Sequence, residues 1–81
     1  MDVVTALNSH VKPNLADVFG VGMANMIILQ SSQKAGISVI GLNKDGYAKL
    51  IEAIAADERV TKMLGRSGAE TKRNSWIVLV T

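Results

Sequence analysis

The stretch that decides the fold runs from residue 26 to residue 42 and reads MIILQSSQKAGISVIGL. Its first four residues, 26–29, predict a buried strand, and residues 36–42 predict a second one, because Ile and Val are enriched in strands. The polar residues 31–35 between them have the length of a hairpin loop. The sequence therefore predicts an antiparallel pair of strands here.

Two short helices are predicted before this hairpin. Residues 2–11 place apolar side chains close to helical spacing, and Asp2 carries the negative charge that favours a helix N-terminus. Pro13 is expected to end this helix. Asn14 is then expected to cap a second short helix, which ends at Gly20.

A third helix is predicted after the hairpin. Residues 43–46, Asn-Lys-Asp-Gly, suit either a helix cap or a tight turn between strands. The helix is preferred because Tyr47, Leu50, Ile51 and Ile54 follow the i, i+3, i+4, i+7 pattern and lie among several alanines.

The C-terminal third is predicted to contain two more strands. Residues 59–64 either extend the preceding helix or form a strand, and the strand is preferred. Residues 65–74 are polar, contain two glycines and predict a loop. Residues 75–81, SWIVLVT, have the clearest strand composition in the chain.

These elements predict a single α+β domain over residues 1–81, with a four-stranded, mostly antiparallel sheet and helices packed on one face. This layout, a ferredoxin-like or similar two-layer sandwich, resembles the small ferredoxin-like regulatory folds, among them the ACT-type domains. The resemblance is one of layout only. Because it leaves the other face of the sheet open, a second copy or another protein is expected to cover that face, with Trp76, Ile77 and Leu79 at the interface.

Composition removes several kinds of site. The chain has no cysteine, which excludes disulfides, thiolate nucleophiles and thiolate metal sites. His10 is the only histidine, so one chain cannot supply a histidine pair. No catalytic residue, metal site or cofactor is therefore predicted. The methionines are expected to fill the core rather than to form a recognition surface, and they are Met23, Met26 and Met63.

The expected environment is the cytoplasm. The longest nearly apolar stretch, residues 18–29, is shorter than the roughly 20 residues that a membrane-spanning helix needs. The first residues lack the basic segment and cleavage site of a secretory signal.

Positive charge is concentrated near the C-terminus. The chain carries a net charge of +2, but residues 59–73 alone carry +4 and the remaining residues carry −2. Such asymmetry is typical of surfaces that bind phosphate groups or nucleic acid. The candidate residues of this basic segment are Arg59, Lys62, Arg66, Ser67, Lys72 and Arg73.

These observations favour a non-catalytic regulatory or assembly module that forms a homo-oligomer or docks on a larger protein. Binding of nucleic acid or a phosphate ligand through the basic segment is the alternative. A third hypothesis is a small enzyme whose site is completed across an oligomer interface, where His10 from two chains would meet.

Overall fold

The computed structural model describes residues 1–81 and contains helices joined by short connections, with no strand. The predicted α+β class and its four-stranded sheet are therefore wrong. The helical segments are α1 (Val3–Ala6), a π-helical turn (Leu7–Val11), α2 (Lys12–Phe19), α3 (Val21–Ala35), α4 (Lys44–Ala55) and α5 (Glu58–Val78). Since α1, the π-helical turn and α2 follow one another without a break, the fold is a small four-helix arrangement.

The N-terminal helix begins where the sequence predicted and continues past its predicted end. The carboxylate of Asp2 accepts a 2.8 Å hydrogen bond from the backbone N–H of Thr5, as expected of an N-cap. Pro13 does not end the helix. A proline in a helix removes one backbone donor and crowds the carbonyl four residues earlier. The wider π-helical turn that precedes it, in which Lys12 N–H donates to the carbonyl of Leu7, relieves that crowding.

The first predicted strand and the predicted hairpin loop both lie within α3. The apolar run at residues 26–29 is divided between two sides of this helix: Ile27 and Ile28 are buried, whereas Met26 and Leu29 are exposed. Four apolar residues in a row suit a strand and a helix equally, so the burial pattern over all fifteen residues decides. Gly36 ends α3 in the left-handed conformation at φ 70°.

The second predicted strand is a loop between α3 and α4. Residues 36–42 contain Gly36 and Gly41, both at positive φ, which interrupts an extended strand. Ile40 is 87% exposed, whereas Leu42 is buried in the core. The predicted strand is wrong. Its β-branched residues favour a strand, but no other strand is present to pair with them.

The predicted central helix is confirmed as α4. Its N-cap is Asn43, whose side-chain oxygen accepts a 2.8 Å hydrogen bond from Gly46 N–H. The four residues of the predicted apolar stripe are completely buried, and they are Tyr47, Leu50, Ile51 and Ile54. This helix forms the centre of the core and packs against both α3 and α5.

The predicted third strand, loop and final strand together form α5. The helix breaks once, at Gly65, where φ is 77° and ψ is 167°. Its buried side chains are Val60, Ala69 and Trp76, and the polar residues and glycines between them indicated a loop rather than a helix. The apolar residues near its end follow helical spacing, since Trp76 and Val80 are buried while Val78 is exposed.

Trp76 joins three helices through two hydrogen bonds. Its indole Nε1–H donates to Oδ1 of Asn14 in α2 at 3.0 Å, and its backbone carbonyl accepts the Tyr47 hydroxyl of α4 at 2.8 Å. Both rings are buried, and burial raises the pKa of the Tyr47 phenol to about 12. Tyr47 is therefore a protonated donor at neutral pH.

Replacing Tyr47 tests the importance of this connection. We expect Tyr47→Phe to lower the free energy of unfolding by about 1–3 kcal/mol, because the buried Trp76 carbonyl loses its donor while the ring packing is kept. Urea denaturation measures the change. The control is Ser75→Ala, which alters an exposed neighbour and should change stability by less than about 0.5 kcal/mol. An unchanged midpoint for Tyr47→Phe would contradict this account.

A second stability test compares two glycines that both have open space around them. No atom lies within 4 Å of a Cβ added at Gly65 or at Gly22. Gly65 has a backbone conformation that only glycine adopts readily, so Gly65→Ala should cost about 1–3 kcal/mol. Gly22 is helical, so Gly22→Ala should stabilise the fold by up to about 1 kcal/mol. If Gly65→Ala and Gly22→Ala changed the thermal unfolding temperature equally, the positive φ of Gly65 would not be required for the break in α5.

Candidate functional site

Arg59, the first residue of the predicted basic segment, is bound by its own chain. Its guanidinium donates to both carboxylate oxygens of Asp57, at 3.0 Å and 2.7 Å, and to Oε1 of Gln30 at 2.9 Å. Asp57 is also the N-cap of α5 and accepts from Arg59 N–H at 2.8 Å. The hydrogen bonds from Arg59 hold the pKa of Asp57 below its usual value of 3.8.

Arg73, at the other end of the basic segment, is also paired. Its guanidinium forms an ion pair with Glu52 of α4, in which Nε donates to Oε1 at 2.6 Å. It also donates to the side chain of Asn74 at 2.8 Å. The hydrogen bonds from Arg73 lower the pKa of Glu52. Two of the five cations in the basic segment are thus already used inside the fold.

The remaining members of the basic segment are not bound by carboxylates of the chain. Lys62, Arg66 and Lys72 form no ion pair. Ser67 is exposed, and its backbone carbonyl accepts from the Thr71 hydroxyl. Arg66 lines an open cleft together with Glu52 and Glu70.

The predicted flexible loop at residues 65–74 is helical after the break at Gly65, so the prediction of a loop is wrong. Binding of nucleic acid through the six residues of the basic segment stays a prediction.

The predicted interface residues lie at the end of α5. Trp76 is 2% exposed and both of its polar groups are bonded within the chain, so its ring offers little surface to a partner. Ile77 and Leu79 are half-buried and pack on the edge of the core. The open sheet face that suggested these residues is absent, and their part in association stays a prediction.

The hypothesis of an enzyme site completed by His10 from two chains stays a prediction. His10 is half-buried in the π-helical turn. No group of three or more His, Cys, Asp or Glu side chains lies close enough to hold a metal ion. None of the helices has both the length and the apolar character needed to cross a membrane. No family model, curated protein or solved structure matches the chain.

The sequence interpretation missed an apolar surface on α3. The exposed positions Gly22, Met26, Leu29 and Gln33 are spaced by four, three and four residues, so they lie along one line of the helix. We call this line the α3 seam. Met26 is 47% exposed and Leu29 is 55% exposed, and no charged residue occurs between Val21 and Gln33. The absence of charged residues over these thirteen positions was the feature of the sequence that indicated this surface.

The prediction that the methionines fill the core is therefore wrong. Met23, Met26 and Met63 are all exposed. The Sδ atom of Met23 lies 3.6 Å from an Arg59 nitrogen, which places this methionine at the junction of α3 and α5. Because Met63 follows Arg59 by one helical turn, it lies on the same side of α5. The apolar surface of α3 thus extends toward α5.

A second feature that the sequence did not indicate is a cleft between the N-terminal helix and α3. The cleft has a volume of about 320 Å³, and Val39 and Leu42 of the loop before α4 contribute to its lining. Two thirds of its lining residues are apolar, and the polar ones are Asn8, Lys12 and Asn25. We call it the α1–α3 cleft. Its walls come from residues far apart in the chain, so only the folded structure reveals it.

The Asp57–Arg59 pair makes stability dependent on pH. The folded carboxylate has a lowered pKa, so the unfolded chain binds more protons as the pH falls below about 5. Asp57→Asn keeps a good N-cap but loses the ion pair, and should be less stable than the wild type by about 1 kcal/mol at pH 7. That difference should vanish as the pH falls through the lowered pKa of Asp57. Urea denaturation between pH 7 and pH 2 measures it.

Asp45→Asn is the matched control for this titration. It removes an exposed ion pair with Lys49 on the surface of α4, which should contribute little at any pH. A pH-independent difference between wild type and Asp57→Asn would contradict the assigned pairing.

Proposed function

We propose that this protein is a non-catalytic assembly module that associates with a second copy of itself through the α3 seam. The observation that carries the proposal is the exposed, uncharged face of α3. A helix that is apolar on several sides is normally covered on those sides. Here α2 and α4 cover the buried side, whereas Met26 and Leu29 on the outer side face solvent.

A second copy fits this surface better than a charged partner. With no charged residue between Val21 and Gln33, two copies of the face meet without repulsion between like charges. The spacing of the α3 seam is also symmetric about its middle. An antiparallel pair of α3 helices places Gly22 opposite Gln33 of the second copy, and Met26 opposite its Leu29.

The size of the chain gives an independent reason for association. An 81-residue chain buries a limited fraction of its surface, and this one has no disulfide to reinforce it. One helical seam buries less area than a standard interface of about 1,600 Å², so the dimer is expected to be reversible. Its population should rise with protein concentration.

Sedimentation equilibrium tests self-association. The wild type should change from monomer to dimer as concentration rises from micromolar to about millimolar. Met26→Lys should weaken dimerisation by about tenfold or more, because it buries a charge without a partner. Val18→Lys, on an exposed position of α2, is the control and should dimerise like the wild type. A wild type that stays monomeric throughout, or equal behaviour of the two lysine variants, would overturn the proposal.

Cross-linking tests the antiparallel arrangement directly, because the chain contains no other cysteine. An equimolar mixture of the single variants Met26→Cys and Leu29→Cys should form disulfide-linked mixed dimers under mild oxidation, because each chain then carries one cysteine and no intrachain disulfide competes. Met26→Cys alone should form far fewer, because its neighbour across the seam is Leu29 of the second copy. Efficient cross-linking of the single variant would indicate a parallel pair instead.

A further inference from the structure

The walls of the α1–α3 cleft run in opposite directions. Val4, Asn8 and Lys12 succeed one another by one helical turn along the first wall, and Asn25, Ile28 and Leu29 form the second wall. A smaller cleft nearer the Gly20 turn is lined by Lys12 and Asn25 together with Pro13 and Val21. In one direction along the cleft, the residue numbers therefore increase on one wall and decrease on the other. Lys12 and Asn25 line both clefts, so they lie where the two clefts meet.

This antiparallel arrangement divides the cleft into two ends. We place Lys12 and Asn25 at the end near Gly20, because both also line the smaller cleft there, and Asn8 follows one helical turn along the wall. Val39 and Leu42 belong to the loop that follows the C-terminal end of α3, so we place them toward the other end. From Lys12 to Val4 the wall extends about 12 Å, at 1.5 Å per residue. A ligand in this cleft therefore needs a polar head and an apolar tail that is about as long as this wall.

The polar side chains of the cleft are free to bind a ligand. Asn14, Asn43 and Asn74 use their side chains in hydrogen bonds within the chain, whereas Asn8 and Asn25 do not. Lys12 is half-buried and forms no ion pair. One ammonium and two amide groups supply several donors, and no carboxylate lines the cleft. The head group that suits them is an anion.

We propose that the α1–α3 cleft binds a single-chain aliphatic carboxylate, with the carboxylate at Lys12 and the chain directed toward Val39 and Leu42. The volume of about 320 Å³ lies at the lower end of the range for small-molecule sites, which limits the ligand to one short or medium chain. Lys12 contributes the opposite charge, and Asn8 and Asn25 contribute neutral hydrogen bonds. This inference does not depend on self-association, although Leu29 borders both surfaces.

Octanoate and octan-1-ol are suitable probes, because they share a chain and differ in the charge of the head group. Backbone amide chemical shifts should change around Val4, Asn8, Ile28 and Val39 during a titration with octanoate. The wild type should bind octanoate about tenfold more tightly than octan-1-ol, the difference that one charged hydrogen bond provides. The titration uses the Met26→Lys variant as well, so that dimerisation and ligand binding are measured separately.

Two variants with matched controls locate the head and the tail. Lys12→Met should reduce octanoate affinity about tenfold and leave octan-1-ol unchanged, whereas Lys34→Met, outside the cleft, should change neither. Val39→Ser should weaken both ligands, because it makes the tail end polar. Binding of added lipid vesicles with no response to octanoate would indicate a surface for membranes and overturn the proposal. Shift changes scattered over Met26, Ile40 and Met63, or equal affinities for Lys12→Met and Lys34→Met, would also overturn it.

Discussion

The hydrogen bonds of Trp76 hold together elements that are distant in the sequence. Its indole contacts Asn14 in α2, and its carbonyl accepts the Tyr47 hydroxyl of α4, so one residue near the C-terminus fixes the position of α5 against two other helices. The chain contains only three aromatic residues, one Trp, one Tyr and one Phe. The rest of the core is aliphatic, and such side chains pack without directional bonds. The Trp76 connections therefore supply much of the specificity of the arrangement.

The sequence was informative where local chemistry alone sets the structure. The caps at Asp2 and Asn43, the end of α2 at Gly20 and the whole of α4 were predicted from residue type and spacing. The sequence led to wrong predictions where the residue composition favoured one secondary structure and the tertiary packing another. The β-branched residues at 36–42 lie in a loop, and those at 77–80 lie at the end of α5. Intrinsic strand preference is weak, and packing against other helices overrides it.

The candidate surfaces were less predictable than the helices. The positive charge of residues 59–73 was plain in the sequence, but its pairing with Asp57 and Glu52 depends on how α5 packs. The α3 seam follows from helical periodicity, so assigning residues 26–29 to a strand concealed it. The α1–α3 cleft depends on two antiparallel walls and a loop. No local pattern indicates that Lys12 and Asn25 line the same cleft.

The exposure of Met26 on the outer face of α3 also makes the chain sensitive to oxidants. Methionine sulfoxide is polar, and its oxygen needs hydrogen-bonding partners that an apolar seam does not offer. Oxidation of Met26 would therefore weaken the proposed pairing of α3 helices without disturbing the core, where no methionine is buried. The reaction is reversible by enzymatic reduction of the sulfoxide. The proposed association through Met26 would thus depend on the redox state of the surroundings.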